Sequence, residues 1–343
     1  MIFRQLFDSA SGTYSYIIAS RQGAEALIID PVLEKVDRYV KLLQELDLRL
    51  VKAVDTHLHA DHMTGLGALR DRTRCITVMG EQSKADVVSM RLADGDRLTI
   101  EGVGLDVIYT PGHTDDSYSF VGDDRVFTGD TLLIRGTGRT DFQNGDPRQQ
   151  YESIFGRLLR LPDSMLLYPA HDYKGDTVST IGEERRNNPR LQVQNVDEYV
   201  QLMNNLNLPN PKMMDAAVPA NMHIGLHQEA VAAQGWALSP EQGMALLGRE
   251  EALLIDLREQ HERERHGRIP GALHLPYPSL ADELGRDGAL RELARNKRLV
   301  FFCAYGERSA MAVLAAQDAG VTAALHVQGG IAAWKNADGL VEY

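Results

Sequence analysis

The sequence predicts an α/β protein built as two domains. Three observations carry this expectation. The chain is 343 residues long, which is long for one domain and comfortable for two. In its first half, short apolar runs recur with His or Asp at their carboxyl ends. After residue 239, strand-like and helix-like segments alternate, as in a parallel sheet covered by helices on both faces.

In chain order, residues 14–19 and 26–30 read as strands. Val36, Tyr39, Val40 and Leu43 recur at helical spacing, so 36–46 reads as an amphipathic helix. The apolar run 51–54 ends in Asp55 and delivers Thr56-His57-Leu58-His59-Ala60-Asp61-His62. Further strands are expected over 75–79, 97–100, 105–109, 118–121 and 125–128. The run 105–109 leads into His113, 125–128 into Asp130, and 165–168 into His171. Four strand ends therefore present His or Asp. A solvated loop or a capped helix start could explain the first cluster alone. Repetition in matching contexts favours convergence on a metal.

Composition narrows the function classes. A net charge of −12 argues against nonspecific nucleic-acid or anionic-membrane binding. No apolar run approaches the ~20 residues a bilayer span needs, and the first residues lack the apolar core of a secretory signal. Cys75 and Cys303, far apart, make a disulfide framework improbable and suit a reducing cytoplasm. Cys75 sits in an apolar run and is expected to be inert core.

The set Thr56–His62, Gly112-His113, Gly129-Asp130 and His171 resembles the metallo-β-lactamase superfamily over about residues 1–175. The resemblance implies an αββα sandwich with the metal at one edge. In two-metal members, His57, His59 and His113 would hold one ion, and Asp61, His62 and His171 the other, with Asp130 bridging. The stretch 130–146, then Tyr168-Pro-Ala-His171-Asp-Tyr-Lys-Gly175, 177–186 and Asn188-Pro-Arg190, is similar to the persulfide dioxygenase branch, over about residues 1–225. That implies one Fe(II) on His57, His113 and Asp130, two histidines and a carboxylate that leave positions open for oxygen chemistry. His59, Asp61, His62 and His171 would then orient the ligands. The family's substrate is glutathione persulfide, oxidised by O₂ to sulfite with release of glutathione. Arg139 and Tyr173 are the expected glutathione contacts, against the plainer readings of an internal ion pair and a packed aromatic. Thr137 stands near the substrate position where the family often has cysteine.

Residues 1–228 are expected to form this domain, with 196–203 as an amphipathic helix, and 229–238 to form a linker. His223 and His227, four apart, could share a helix face, but no carboxylate or cysteine beside them supports a metal. The second domain, 239–343, opens with Ser239-Pro240-Glu241, an N-cap with proline in the first turn. Strands are expected over 252–256, 299–302 and 325–327, and a helix over 309–320. Cys303 lies between strand and helix in Cys303-Ala304-Tyr305-Gly306-Glu307-Arg308. Backbone amides, a helix N-terminus and Arg308 there would favour a thiolate. The motifs 254–258, 267–276, this loop and Gly329-Gly330 with Trp334 resemble the rhodanese family. Asp256 and Arg258 are expected to be structural. A cysteine phosphatase would place five residues between Cys and Arg. Here four intervene, which suits a sulfane sulfur better than a phosphate.

The expectation is a fusion of an iron persulfide dioxygenase with a sulfurtransferase that works through a Cys303 persulfide. Thiosulfate, glutathione and sulfite are its expected small-molecule partners, and the resemblance suggests a homodimer. The competing reading is a binuclear zinc thioester hydrolase of the glyoxalase II kind, whose seven ligands are all present, joined to a sulfur-carrying module. Met63-Thr64, where that family has a glycine pair, weighs against it.

Overall fold

The computed structural model describes residues 1–211, 213–226 and 228–343. It divides into Met1–Asp86 with Met90–Ile224, and Val87–Ser89 with Gly225–Tyr343. Each unit is described by itself.

In the first unit, β1 (Ile2–Asp8), β2 (Thr13–Ala19), β3 (Glu25–Ile29), β4 (Arg49–Val54), β5 (Ile76–Gly80) and β6 (Met90–Leu92) form one sheet in sequence order. β1 to β3 are antiparallel, and β3 to β6 are parallel. β2 and β5 are buried along their whole length. Burial on both faces explains why they show no strict alternation of apolar and charged residues. The second sheet runs β12-β11-β10-β9-β8-β7. Its strands are β7 (Arg97–Ile100), β8 (Val103–Tyr109), β9 (Tyr118–Val121), β10 (Arg125–Gly129), β11 (Leu166–Pro169) and β12 (Ser179–Thr180).

Aromatic side chains join the two sheets. Phe3 and Tyr16 of the first meet Phe127 and Tyr168 of the second, with Phe3–Tyr168 centroids 4.9 Å apart and Tyr16–Phe127 5.0 Å apart. The buried Tyr16 hydroxyl donates to Pro169 O at 2.6 Å, so burying its polar end costs little. Helix Val36–Glu45 buries Val36, Tyr39 and Leu43 against the first sheet, the face its spacing predicts. Ile154, Leu158, Ile181, Tyr199 and Met203 from helical segments cover Val126 and Leu167 of the second. Helices outside and two sheets inside make the αββα sandwich. The helical stretch 147–160 has no clear sequence period, because its middle, Glu152–Arg157, is π-helical.

The second unit has one all-parallel sheet, β13-β17-β16-β14-β15. These strands are β13 (Ala237–Leu238), β14 (Ala252–Asp256), β15 (Leu273–His274), β16 (Arg298–Phe302) and β17 (Ala324–Val327). Ser239 and Gln242 form a reciprocal capping box at helix Pro240–Met244. The stretch 229–238, expected as a linker, instead contributes helix Gln228–Ala233 and edge strand β13. Pairing is the physical reason: His326 N–H donates to Trp236 O at 3.0 Å, and Gln328 N–H to Leu238 O at 2.9 Å. A two-residue strand is too short to leave a period in the sequence. Among the described residues, no helix is long and apolar enough to cross a membrane.

Trp334 is wholly buried with Val300, Phe302, Val327 and Ile331. Trp334→Ala is expected to destabilise this unit by about 3–5 kcal/mol. The chain's other tryptophan, Trp236, also lies in this unit and reports its unfolding. Its fluorescence midpoint in urea should fall clearly, and an unchanged midpoint would refute this packing.

Candidate metal centre and cysteine loop

Four strand ends deliver the centre. β4 runs into His57–His62, β8 into His113, β10 into Asp130 and β11 into His171. His57, His113 and Asp130 each offer one ligand atom, all within 4.8 Å of one another, and all three are buried. Hydrogen bonds settle which histidine nitrogen is free. Asp30 accepts from the Thr56 backbone N–H at 2.7 Å and from its hydroxyl at 3.1 Å. The Thr56 hydroxyl has then spent its proton, so His57 Nδ1–H donates to it at 2.9 Å. His57 Nε2 keeps its lone pair. His113 Nδ1–H donates to Arg139 O at 2.7 Å, which likewise frees Nε2. Asp130 Oδ2 lies 3.5 Å from His113 Nε2. Two imidazole lone pairs and a carboxylate oxygen, with their outer atoms already bonded, fit a divalent metal.

His59, Asp61, His62 and His171 form a second group whose ligand atoms also lie within 4.8 Å. His59 Nδ1 and His62 Nε2 are buried without partners. His171 differs, because its Nδ1 faces Asp130 Oδ1 and its Nε2 faces Asp61 Oδ2, each at 2.7 Å. Burial opposes charge on His171, but the two carboxylates outweigh it and hold its pKa well above the usual value. His171 therefore bridges two carboxylates. Burial likewise opposes charge on Asp130, yet His171, His113 and His57 keep it well below the usual carboxylate range.

Several supporting groups lie outside the ligand motifs. Asp30 follows β3, holds Thr56 and accepts from His59 Nε2 at 3.1 Å. Burial pushes its pKa up to about 6, against His57 and the Thr56 hydrogen bonds. Its place after an apolar strand is the same signature that marks the other strand ends. Thr13 Oγ1 lies 3.1–3.2 Å from Asp61, His62 and His171. Asn221 donates to His59 O and His62 O, both at 2.9 Å, pinning the ligand loop. Asp116 accepts from Leu58 N at 3.1 Å.

The expected substrate residues are placed differently from one another. Tyr173 is 72% exposed and stacks on His171, with centroids 6.0 Å apart and planes within 4°. Arg139 forms a fork on Asp141 at 2.5 and 2.6 Å and donates to Pro209 O at 2.6 Å. This is the internal ion pair of the plainer reading. Thr137, expected near the substrate, is buried and packs toward Met203 Sδ, Tyr199 and Arg190. Its neighbours come from helix Val196–Asn204 and the segment before it, which draw the hydroxyl into the core. His223 pairs with Asp86 at 3.2 Å, and His227 lies outside the described residues.

In the second unit, Cys303 follows β16 and is fully buried. Gly306 N–H donates to its sulfur at 3.1 Å. Helix Glu307–Asp318 starts two residues earlier than its sequence predicts, because Gly306 takes φ +92° and turns the chain into it. Arg308 is therefore helical. Its guanidinium forms a fork on Glu262 at 2.7 and 2.6 Å rather than being aimed at the sulfur. Gln228 Nε2 donates to Tyr305 O at 3.1 Å, and Glu307 accepts from Leu226 N–H at 2.9 Å. Ile331 N–H donates to Cys303 O at 2.8 Å and Ala332 N–H to Ala304 O at 3.1 Å. A Cβ at Gly330 would fall 2.4 Å from Cys303 O, so only glycine lets helix Gly330–Asn336 seat on the loop. Asp256 and Arg258 are buried together at 2.6 Å, with Arg258 also bonded to Gly267 O. Cys75 is buried in the first unit.

A sandwich with His and Asp at its strand ends defines a metal-dependent class, and a cysteine cradled between strand and helix defines a second module. Residues 9–171 match the metallo-beta-lactamase superfamily, and 239–337 match the rhodanese-like domain. The chain is 46% identical to the human protein named persulfide dioxygenase ETHE1, mitochondrial, over 66% of this chain and 89% of that one. The mouse counterpart is 45% identical over the same shares. The crystal structure of ETHE1 from Myxococcus xanthus is 52% identical over 65% of this chain and 98% of that one, with a TM-score of 0.63. The chain belongs to the metallo-β-lactamase superfamily, in its persulfide dioxygenase family, and carries a rhodanese-like domain after it. A Staphylococcus aureus metallo-beta-lactamase structure, 22% identical, shares the fold over 96% of this chain and 98% of its own, with a TM-score of 0.61.

A Cβ at Gly138 would lie 2.3 Å from Asp130 O and 2.7 Å from His113 Nδ1. Gly138→Ala is therefore expected to push His113 off its place while the sandwich stays folded. Metal bound after loading and desalting should drop at least tenfold relative to the parent, in the range typical of lost support around a ligand. Equal metal retention would contradict the geometry.

Proposed function

We propose that the first domain, taken as residues 1–228, is an iron(II)-dependent dioxygenase of glutathione persulfide. The second, residues 239–343, is proposed as a sulfurtransferase working through a Cys303 persulfide. The observation that carries the first proposal is the donor set: two imidazole lone pairs and one carboxylate oxygen converge from His57, His113 and Asp130. When bound there, iron(II) supplies a redox-active centre with open positions, suited to joining dioxygen and sulfur. The relatives named persulfide dioxygenase point to the same chemistry.

The chain's own groups have distinct tasks. Thr56 and the Arg139 carbonyl hold His57 and His113 in the tautomers that present Nε2. His171 keeps Asp130 ionised and oriented, and with Asp61 it forms a polar wall beside the reacting sulfur. Tyr173 offers an exposed ring and hydroxyl to the glutathione moiety. Arg139 would receive a substrate carboxylate by exchanging it for Asp141, an exposed partner. The overall reaction balances as glutathione persulfide plus O₂ plus water giving glutathione, sulfite and two protons. The outer sulfur is oxidised by four electrons, which dioxygen accepts.

In the second domain, a Cys303 thiolate attacks the outer sulfur of a donor such as thiosulfate, and sulfite leaves with the bonding electron pair. Glutathione then takes that sulfur, which produces the first domain's substrate. Sulfite and enzyme persulfide giving thiosulfate is the same exchange in reverse. A cytoplasmic location and a homodimer remain part of the proposal.

A second reading rests on the unpartnered His59 Nδ1 and His62 Nε2, which offer further lone pairs. It is a binuclear zinc thioester hydrolase with a sulfur-carrying module. Oxygen uptake by anaerobically iron-loaded protein, on adding glutathione persulfide, separates the two. Uptake matched by sulfite should fall at least a hundredfold in His113→Ala, as order of magnitude for a lost catalytic ligand. Full iron loading without uptake, together with thioester hydrolysis after zinc loading, would establish the second reading instead.

A further inference from the structure

Behind Cys303 lies a buried side chain that the sulfur-transfer chemistry leaves unused. His326, on β17, is fully buried, as are Ser309 and Cys303. His326 Nδ1 is 3.3 Å from Ser309 Oγ, and Ser309 Oγ is 3.8 Å from Cys303 Sγ. The three form a polar line running from the sheet to the sulfur. A polar line inside an apolar core is costly unless its hydrogen bonds are made.

Burial pushes the His326 pKa down to about 4, so the ring is neutral and carries one proton. Nε2 is buried with no partner. A proton there would be a donor without an acceptor, whereas on Nδ1 it is donated to Ser309 Oγ. Ser309 then accepts from His326 and has its own hydrogen to give. Two acceptors are in reach, Gly306 O at 3.1 Å and the Cys303 sulfur. When the sulfur is a thiolate, it is the charged acceptor of the two, and charge-assisted hydrogen bonds are the stronger ones.

We propose that His326 is a positioning residue for Cys303: through Nδ1–H it orients the Ser309 hydroxyl to donate to the thiolate. The role rests on the reading of Cys303 as the sulfur nucleophile. It involves no proton transfer. The thiolate forms a bond to the donor's outer sulfur, the donor's S–S bond breaks, and the electron pair leaves with the remnant. Together the Gly306 N–H and the Ser309 hydroxyl give the sulfur two donors before attack. The charged groups around the loop are already engaged: Arg308 by Glu262, and Glu307 by the Leu226 N–H.

The test is the pH midpoint of Cys303 alkylation by iodoacetamide in the full-length protein, followed on the Cys303 peptide by mass spectrometry. The midpoint reads thiolate formation, whereas limited access to a buried sulfur scales the rate at every pH. His326→Leu and Ser309→Ala should each raise the midpoint by about one pH unit, the order of one charge-assisted hydrogen bond. His326→Asn places an amide N–H close to the position of Nδ1–H and should bring the midpoint back to that of the parent. A merely structural role for His326 would not show this rescue. An unchanged midpoint in a folded His326→Leu, or an Asn variant shifted as far as the Leu variant, overturns the proposal. If the Leu variant does not fold, an unshifted midpoint in Ser309→Ala overturns it equally. Variants that shift as expected in a protein that carries no sulfur from thiosulfate would refute the transferase reading alone.

Discussion

The buried carboxylate of Asp30 is the constraint on which the metal centre depends. It takes the Thr56 backbone N–H and hydroxyl at one edge of the ligand loop and His59 Nε2 at the other. Because the Thr56 proton goes to Asp30, His57 must donate through Nδ1 and face the cluster with Nε2. One carboxylate thus fixes the tautomer of one histidine and the orientation of another. Desolvation opposes its charge, and the hydrogen bonds it accepts keep the cost bearable.

The same logic separates the two His/Asp groups. Around His57, His113 and Asp130, every outer atom is bonded to protein and the inner atoms are free. Around His171, both ring nitrogens lie 2.7 Å from carboxylates, Asp130 on one side and Asp61 on the other. In the second unit, a comparable economy operates at Cys303. Arg308 is balanced by Glu262, and neutral groups, the donating Gly306 N–H and the Ser309 hydroxyl, lie beside the sulfur.

Much of this was legible in the sequence. Strands buried on both faces show no strict alternation of apolar and charged residues, so β2, β4 and β5 stand out, and their ends place His57 and the residues after it. The family motifs carried the sandwich and the parallel second domain. What escaped depends on distant partners. Thr13, Asp116 and Asn221 act through hydrogen bonds to residues far along the chain, and no local pattern marks them. In the sequence Arg139 reads as a glutathione contact with an internal ion pair as its alternative, and Arg308 reads as a cation beside Cys303; its partner Glu262 is recognisable only in the fold. Thr137 looked like a site residue by neighbourhood, but packing against Met203 and Tyr199 turns it inward. The segment 229–238 looked like a linker because a two-residue edge strand has no period.

The central claim is that one metal sits among His57, His113 and Asp130. The most direct measurement is anomalous diffraction at the iron edge from crystals of the anaerobically iron-loaded full-length protein. The expected result is a single peak among the His57 and His113 Nε2 atoms and an Asp130 carboxylate oxygen. A peak of equal height between His59, Asp61 and His62 would contradict the account and establish a binuclear site.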